Sequence, residues 1–180
     1  MNSGELVRMI REQDRPLVEG HYGELRTNLG TSHYHRLSNE ELFRRGQAVL
    51  QRLGDWLTSR DPAAIHCSGT ELGKQRFAEG IPLGQVVLAL ILEEQHLWSY
   101  ATQQGIQPAE ELRLEVAEFF ARTIYSTALG YEESLAESNR RARRAIVPPK
   151  PAEVAARAVT SEENPEMVPS RGGQVGEFGG

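Results

Sequence analysis

The sequence predicts an all-α fold: a single-domain helical bundle with a long C-terminal helix, followed by a tail. Three observations predict it. Apolar residues recur at steps of three, four and seven from Leu42 to Leu57 and again from Leu112 to Leu135, the spacing of one helix face. Proline and glycine fall between those runs, at Asp61-Pro62, at Gly80-Ile81-Pro82 and from Gly105 to Pro108, so they punctuate helices instead of breaking them. No stretch keeps the period-two alternation of a half-buried strand. At 180 residues the chain can bury one real core and is short for two domains and a linker.

Residues 3 to 29 carry Leu6, Val7, Met9, Ile10, Leu17, Val18, Tyr22, Leu25 and Leu29 at loose helical spacing, interrupted at Pro16 and loosened by Gly20 and Gly23. This reads as two short helices or one bent one, with residues 30 to 37 as a connection. Ser38-Asn39-Glu40-Glu41 then has the form of a capping box, in which hydroxyl and carboxylate satisfy each other's free backbone N–H groups, so a helix starts near Asn39. Its stripe of Leu42, Phe43, Val49, Leu50, Leu53, Trp56 and Leu57 faces a core, while Arg44, Arg45, Gln47, Gln51 and Arg52 face water, and it ends near Arg60.

Asp61 caps the next helix, with Pro62 in its first turn where the missing N–H does no harm. That helix is weakly apolar (Ile65, Leu72, Phe77, Ala78), Gly69 and Gly73 allow a neighbour to approach closely, and Gly80 ends it in a left-handed conformation. The central helix runs from near Pro82 to about Gln104. Leu83, Val87, Leu90, Ile91, Leu97 and Trp98 are its expected core residues, joined by Phe119 and Phe120 from the last helix, which runs from Pro108 to about Ile146. The end of that helix, ESNRRARRAI, has only Ala142, Ala145 and Ile146 as apolar positions and is expected to project beyond the bundle. Arg140, Arg141, Arg143 and Arg144 sit there near the negative end of the helix dipole. Beyond Val147 the chain is rich in proline and ends GGQVGEFGG, too little apolar surface to offset the entropy of ordering it. The expected organisation is a helical domain over 1–146 and a tail over 147–180, disordered alone or ordered by a partner.

With 25 acidic and 20 basic residues the formal net charge is -5, which argues against a nucleic-acid partner. One cysteine, Cys67, and a start without a basic-then-apolar leader point to the cytoplasm. The apolar window from Leu83 to Leu92 stops at Glu93 and Glu94, far short of the roughly 20 residues that cross a bilayer. There is no glycine-rich phosphate loop, Gly-x-Ser-x-Gly, Cys-x-x-Cys or kinase constellation, so no enzyme is expected.

Glu93-x-x-His96 puts a carboxylate and an imidazole on one helix face, as in di-iron bundles, but a second Glu-x-x-His is missing and no metal is expected. His96 alone could serve as an axial haem ligand; a lone histidine beside Leu97 and Trp98 is more often a hydrogen-bonded core residue, and no cofactor is expected. His21, His33 and His35 read as surface loop histidines. His66 and Cys67 are adjacent and diverge on a helix, so they form no nucleophile–base pair, and neither His66 nor His96 has the basic neighbour a phosphoaccepting histidine needs. The run Arg140, Arg141, Arg143 and Arg144 is a solvated helix end or a site for an acidic partner or lipid surface. In the tail, Val175 and Phe178 are the large apolar side chains of a terminus suited to a short docking peptide.

Three segments taken together resemble the N-terminal sensory domain of the RsbT co-antagonist (RsbRD) family. They are Tyr34-x-Arg36-Leu37-Ser38-x-Glu40-Glu41-Leu42, Gly73-x-x-Arg76-x-x-x-Gly80-Ile81-Pro82-Leu83, and Leu92-x-x-x-x-Leu97-Trp98. The resemblance covers roughly residues 5 to 145. It implies an all-helical domain, similar in role to haemless globin-like sensors, that precedes an output module and signals through its last helix; it implies no catalytic residue. Here a proline-rich tail follows Arg144 where an output module would begin, so the expectation is a free-standing module. The function expected is a non-enzymatic regulatory or sensory module acting through protein–protein contact by its last helix and tail, and compatible with a homodimer. The alternatives are an accessory or adaptor subunit docking through its tail, and a haem-binding sensor using His96.

Overall fold

A computed structural model of the protein describes residues 1–146, and these contain six α-helices and no strand. They are α1 (Ser3–Glu12), α2 (Asp14–Thr27), α3 (Asn39–Ser59), α4 (Pro62–Ala78), α5 (Leu83–Gln103) and α6 (Glu110–Ile146), with 3-10 turns at Leu29–Thr31 and Tyr34–Arg36 between α2 and α3. The fold is the all-α helical bundle the spacing predicts. The chain divides into two compact units, Met1–Arg140 and Arg141–Gly180; the packing below is that of the first, and of the second only the last turns of α6 are described. No helix among the described residues is long and apolar enough to cross a membrane.

Local chemistry sets the boundaries. The chain breaks at Gln13 (φ -121°, ψ 24°), so residues 3 to 27 form two helices, and Pro16 falls in the first turn of α2, where no N–H partner is needed. Asn2 and Glu5 make a complete capping box on α1. On α3 only half of the expected box forms. Ser38 accepts from the Glu41 N–H at 3.1 Å, but the Glu41 carboxylate turns to Arg44 and Arg45, because two guanidiniums outbid one backbone N–H. Helices α4 and α5 end alike, on glycines with φ +71°: Gly80 N–H bonds Phe77 O and Ile81 N–H bonds Arg76 O, as Gly105 bonds Thr102 and Ile106 bonds Ala101.

The core corrects part of the expectation for α5. Leu90, Leu97, Phe119 and Phe120 are buried as expected, but Leu83, Val87 and Trp98 are half-buried and Ile91 is 38% exposed. The buried face is instead Val86, Ala89, Leu90, Glu93, Leu97, Tyr100 and Ala101, a stripe that includes a carboxylate. An α5 that is apolar on nearly every side does not announce which face turns inward; the packing of α2, the first 3-10 turn and α4 against it does. The Trp98 ring lies under the Arg113 guanidinium at 5.1 Å, with its surface shared between core and solvent. Leu97→Ala is therefore expected to cost about 3 kcal/mol and Trp98→Ala only about 1–2 kcal/mol, measured by urea unfolding. Equal losses would place the indole in the core after all.

Helices α4 and α6 meet through glycine. A Cβ on Gly69 would lie 2.6 Å from Ser126 Cβ, one on Gly73 would overlap the Thr127 carbonyl oxygen, and one on Gly130 would overlap that of Thr70. This backbone-to-backbone approach is why α4 needs so few large apolar residues. It is framed by Phe77 against Tyr131, edge to face at 5.2 Å, and by Lys74 and Glu133, 3.1 Å apart.

Candidate functional site

The concentration of polar groups in the interior is the one feature that side-chain spacing on helices does not require. Glu93 on the buried face of α5, His21 on α2, Tyr34 in the second 3-10 turn, Arg45 on α3 and Arg76 at the end of α4 line one cavity of about 40 Å³. Arg76 is carried there by the turn that ends α4, and Tyr34 by the connection folding back over α2. Gly46 leaves room: a Cβ there would press to 2.8 Å on Val18 and stand 3.8 Å from Glu93 Oε1.

The charges on one wall are chained together. Arg76 Nη1 donates to both oxygens of Glu79 (3.1 and 3.0 Å), Arg45 Nη1 donates to Glu79 at 2.9 Å, and Arg45 Nε donates to Glu41 at 2.7 Å. The other wall is unpartnered. Glu93 is 7% exposed and His21 5%, yet Glu93 Oε1 and His21 Nδ1 have no hydrogen-bond partner among the described residues. Burial drives the Glu93 carboxyl far above the usual carboxylate range, toward its protonated form, with only Arg52 opposing. Burial, helped by the neighbouring His96, lowers His21 to about 3, so its imidazole is neutral. Burial also raises the Tyr34 hydroxyl, against Arg76 and Arg45, and weakens the basicity of Arg76.

His21 is thus no surface loop histidine: it lies inside α2, its ring centroid 6.0 Å from that of His96. The i, i+3 and i, i+4 steps from Leu17 and Val18 to His21 and Leu25 carried that signal. His33 and His35 do lie in the connection, half-buried, and the His35 ring meets the Asn28 carbonyl at 3.1 Å. His96 pairs through Nδ1 with Glu24 Oε1 at 2.9 Å, away from the cavity Glu93 lines, so the two residues of the Glu-x-x-His motif serve different surroundings.

No family model, curated protein or solved structure matches the chain. The site is accordingly read from its own chemistry. Haem does not fit His96: a Cβ on Gly20 would come within 2.7 Å of His96 Nε2, leaving that nitrogen walled by α2 backbone. Among the described residues no group of three His, Cys, Asp or Glu could hold a metal. His66 approaches a hydroxyl, that of Ser126 at 3.4 Å, but Ser126 is buried between α4 and α6 and out of reach of a substrate; Cys67 is exposed.

Of the residues expected at a partner site, Arg140, Arg141, Arg143 and Arg144 are all exposed, and Val175 and Phe178 lie outside the described residues. A feature not expected lies earlier on α6. Leu114, Tyr125 and Leu135 are 63, 65 and 45% exposed. Leu114, Ala121, Ala128 and Leu135 follow one another at seven-residue steps, with Ala117 between the first two, and all are exposed or half-exposed, whereas Ile124 packs against the core and Tyr131 on Phe77. The inward face of the same helix uses Leu112, Val116, Phe119 and Phe120, so α6 is apolar on two sides.

Proposed function

We propose that this chain is a non-enzymatic regulatory module that works by protein–protein contact along α6. The supporting observation is the second apolar stripe of that helix: seven-residue steps with an intervening apolar position are what a partnering helix packs against, and small residues in it let backbones come close. The resemblance to RsbT co-antagonist sensory domains, in which the last helix carries the signal, supports the same reading. The partner helix belongs to a second copy of the chain or to another protein.

The test is light scattering of the full chain over a range of concentrations, with Leu114→Glu/Leu135→Glu beside it, and co-purification of both from the organism's own cells. Association or partner binding that the double substitution abolishes, with the melting temperature kept, supports the reading. A monomer whose partners are unchanged by the substitution overturns it. Partners lost only when the chain is ended at Val147 would instead favour an adaptor that docks through its tail.

A further inference from the structure

We propose that the helix packed on the outer stripe of α6 is α6 of a second copy of this chain, running antiparallel about a two-fold axis close to Tyr125. The proposal rests on the α6 contact described under the proposed function and commits it to one partner.

The stripe carries its own symmetry. Leu114, Ala121, Ala128 and Leu135 stand at equal seven-residue steps, and their order is the same read from either end. A two-fold axis midway along them sets Leu114 of one copy against Leu135 of the other, and Ala121 against Ala128. The leucines then close the ends of a contact about 32 Å long, and the alanines let the helices approach at its middle. Tyr125, 65% exposed and one turn on from Ala121, meets its own counterpart beside the axis.

Spacing alone also allows a parallel pair, in which each residue meets itself, and charge separates the two. Glu110 and Glu111 open α6 and Arg140 lies near its end, all of them exposed. Glu111 and Arg140 are separated by close to eight whole turns, so they lie on the same flank of the stripe. In the antiparallel pair Glu111 of one copy stands within a turn of Arg140 of the other, and the symmetry makes this ion pair twice. A parallel pair sets the acidic starts side by side and Arg140 beside Arg140. The nearby cations do not relieve the acidic end: Arg113 is turned to the Trp98 ring and Arg122 is paired with Glu118. Glu132 lies on the stripe between Ala128 and Leu135; antiparallel it faces Ala117, and parallel it faces the same carboxylate of the other copy. The helix dipoles also oppose one another only in the antiparallel pair.

The test uses the full chain with Cys67→Ser, which leaves an introduced cysteine as the only thiol. Ala136→Cys, on the exposed flank of the stripe, carries a nitroxide label. Light scattering is expected to show a concentration-dependent dimer, and pulsed electron resonance a label-to-label distance of about 35 Å, where a parallel pair gives less than about 20 Å. Arg140→Glu is expected to weaken dimerisation about fivefold, and adding Glu111→Arg to restore it, with the melting temperature unchanged in both. A chain that stays monomeric overturns the proposal; a co-purified protein lost from Leu114→Glu/Leu135→Glu would then leave the α6 contact standing with another partner. A short label distance, a dimer that Leu114→Glu/Leu135→Glu leaves intact, or an Arg140→Glu without effect each overturns the antiparallel pair.

Discussion

Gly73→Ala is expected to destabilise the protein by about 3 kcal/mol, although alanine is the better helix former by about 1 kcal/mol. The new Cβ would stand on the Thr127 carbonyl oxygen and 2.7 Å from the Tyr131 nitrogen, both backbone atoms of α6. Backbone of a packed helix cannot swing aside as a side chain can, so α4 and α6 must separate. Separation opens the edge-to-face pair of Phe77 and Tyr131; the Thr70 and Thr127 hydroxyls, buried without partners, would gain water and offset part of that loss. Gly54→Ala, in the middle of α3, is the control. Nothing lies within 4 Å of its Cβ position, so only the propensity term acts and the variant should gain about 0.5–1 kcal/mol. Urea unfolding of the two variants decides the matter: a neutral or stabilising Gly73→Ala would show that α4 and α6 do not cross at this distance.

The second large effect is in the dependence of stability on pH. Glu93 has its folded pKa raised far above the value of about 4.5 it has when unfolded. Below that value it is protonated in both states and costs nothing. Above it the unfolded chain releases a proton that the folded chain keeps, so stability falls as pH rises, until the folded carboxyl also ionises. His21 acts in the opposite sense. Its pKa drops from 6.5 to about 3 on folding, so as pH falls through that window the unfolded chain takes up a proton the folded chain refuses, and stability is lost toward acid. Each limb has a slope of up to about 1.4 kcal/mol per pH unit. Between 4.5 and 6.5 the two slopes oppose one another, which produces a plateau with a decline on either side. Glu41 and Glu115, held below the usual carboxylate range by hydrogen bonds from Arg44 and Arg60, add to the acid limb, weakly because both are solvated.

Glu93→Gln is expected to remove the alkaline limb and leave the acid one; His21→Gln is expected to do the reverse. Unfolding free energies from about pH 4 to about pH 9 read both. An alkaline limb that survives in Glu93→Gln would show that it arises from another group, such as Glu94, whose carboxyl burial also raises.

Where helices begin and end was legible in the chain because those signals are local. Asp61-Pro62, Ser38 with Glu41, and the glycines at 80 and 105 act through backbone hydrogen bonds a few residues away, and each sits at the boundary it implies. Gly69 and Gly73 likewise pointed to a close neighbour, although which helix it was, α6 at Gly130, depended on how the chain folds back. The interior site was not legible. Glu93 looked like the polar end of an apolar run, since an ionisable residue is by default solvated and only its neighbours in space can make it otherwise; His21 was grouped with the loop histidines although its spacing from Leu17 and Val18 put it on the inner face of α2. Arg76 and Tyr34 reach the same cavity from a helix end and a turn, separated from Glu93 by 17 and 59 positions along the chain.

The sequence by itself thus determined the all-helical class, the helix boundaries and the long α6, all consequences of periodicity and capping within a few residues. Only the tertiary structure decided which side of α5 is inside, that Trp98 is at the margin and Glu93 in the core, and that α6 keeps an apolar stripe to spare. Those outcomes depend on the summed burial of several helices against one another, a quantity no single stretch of chain contains.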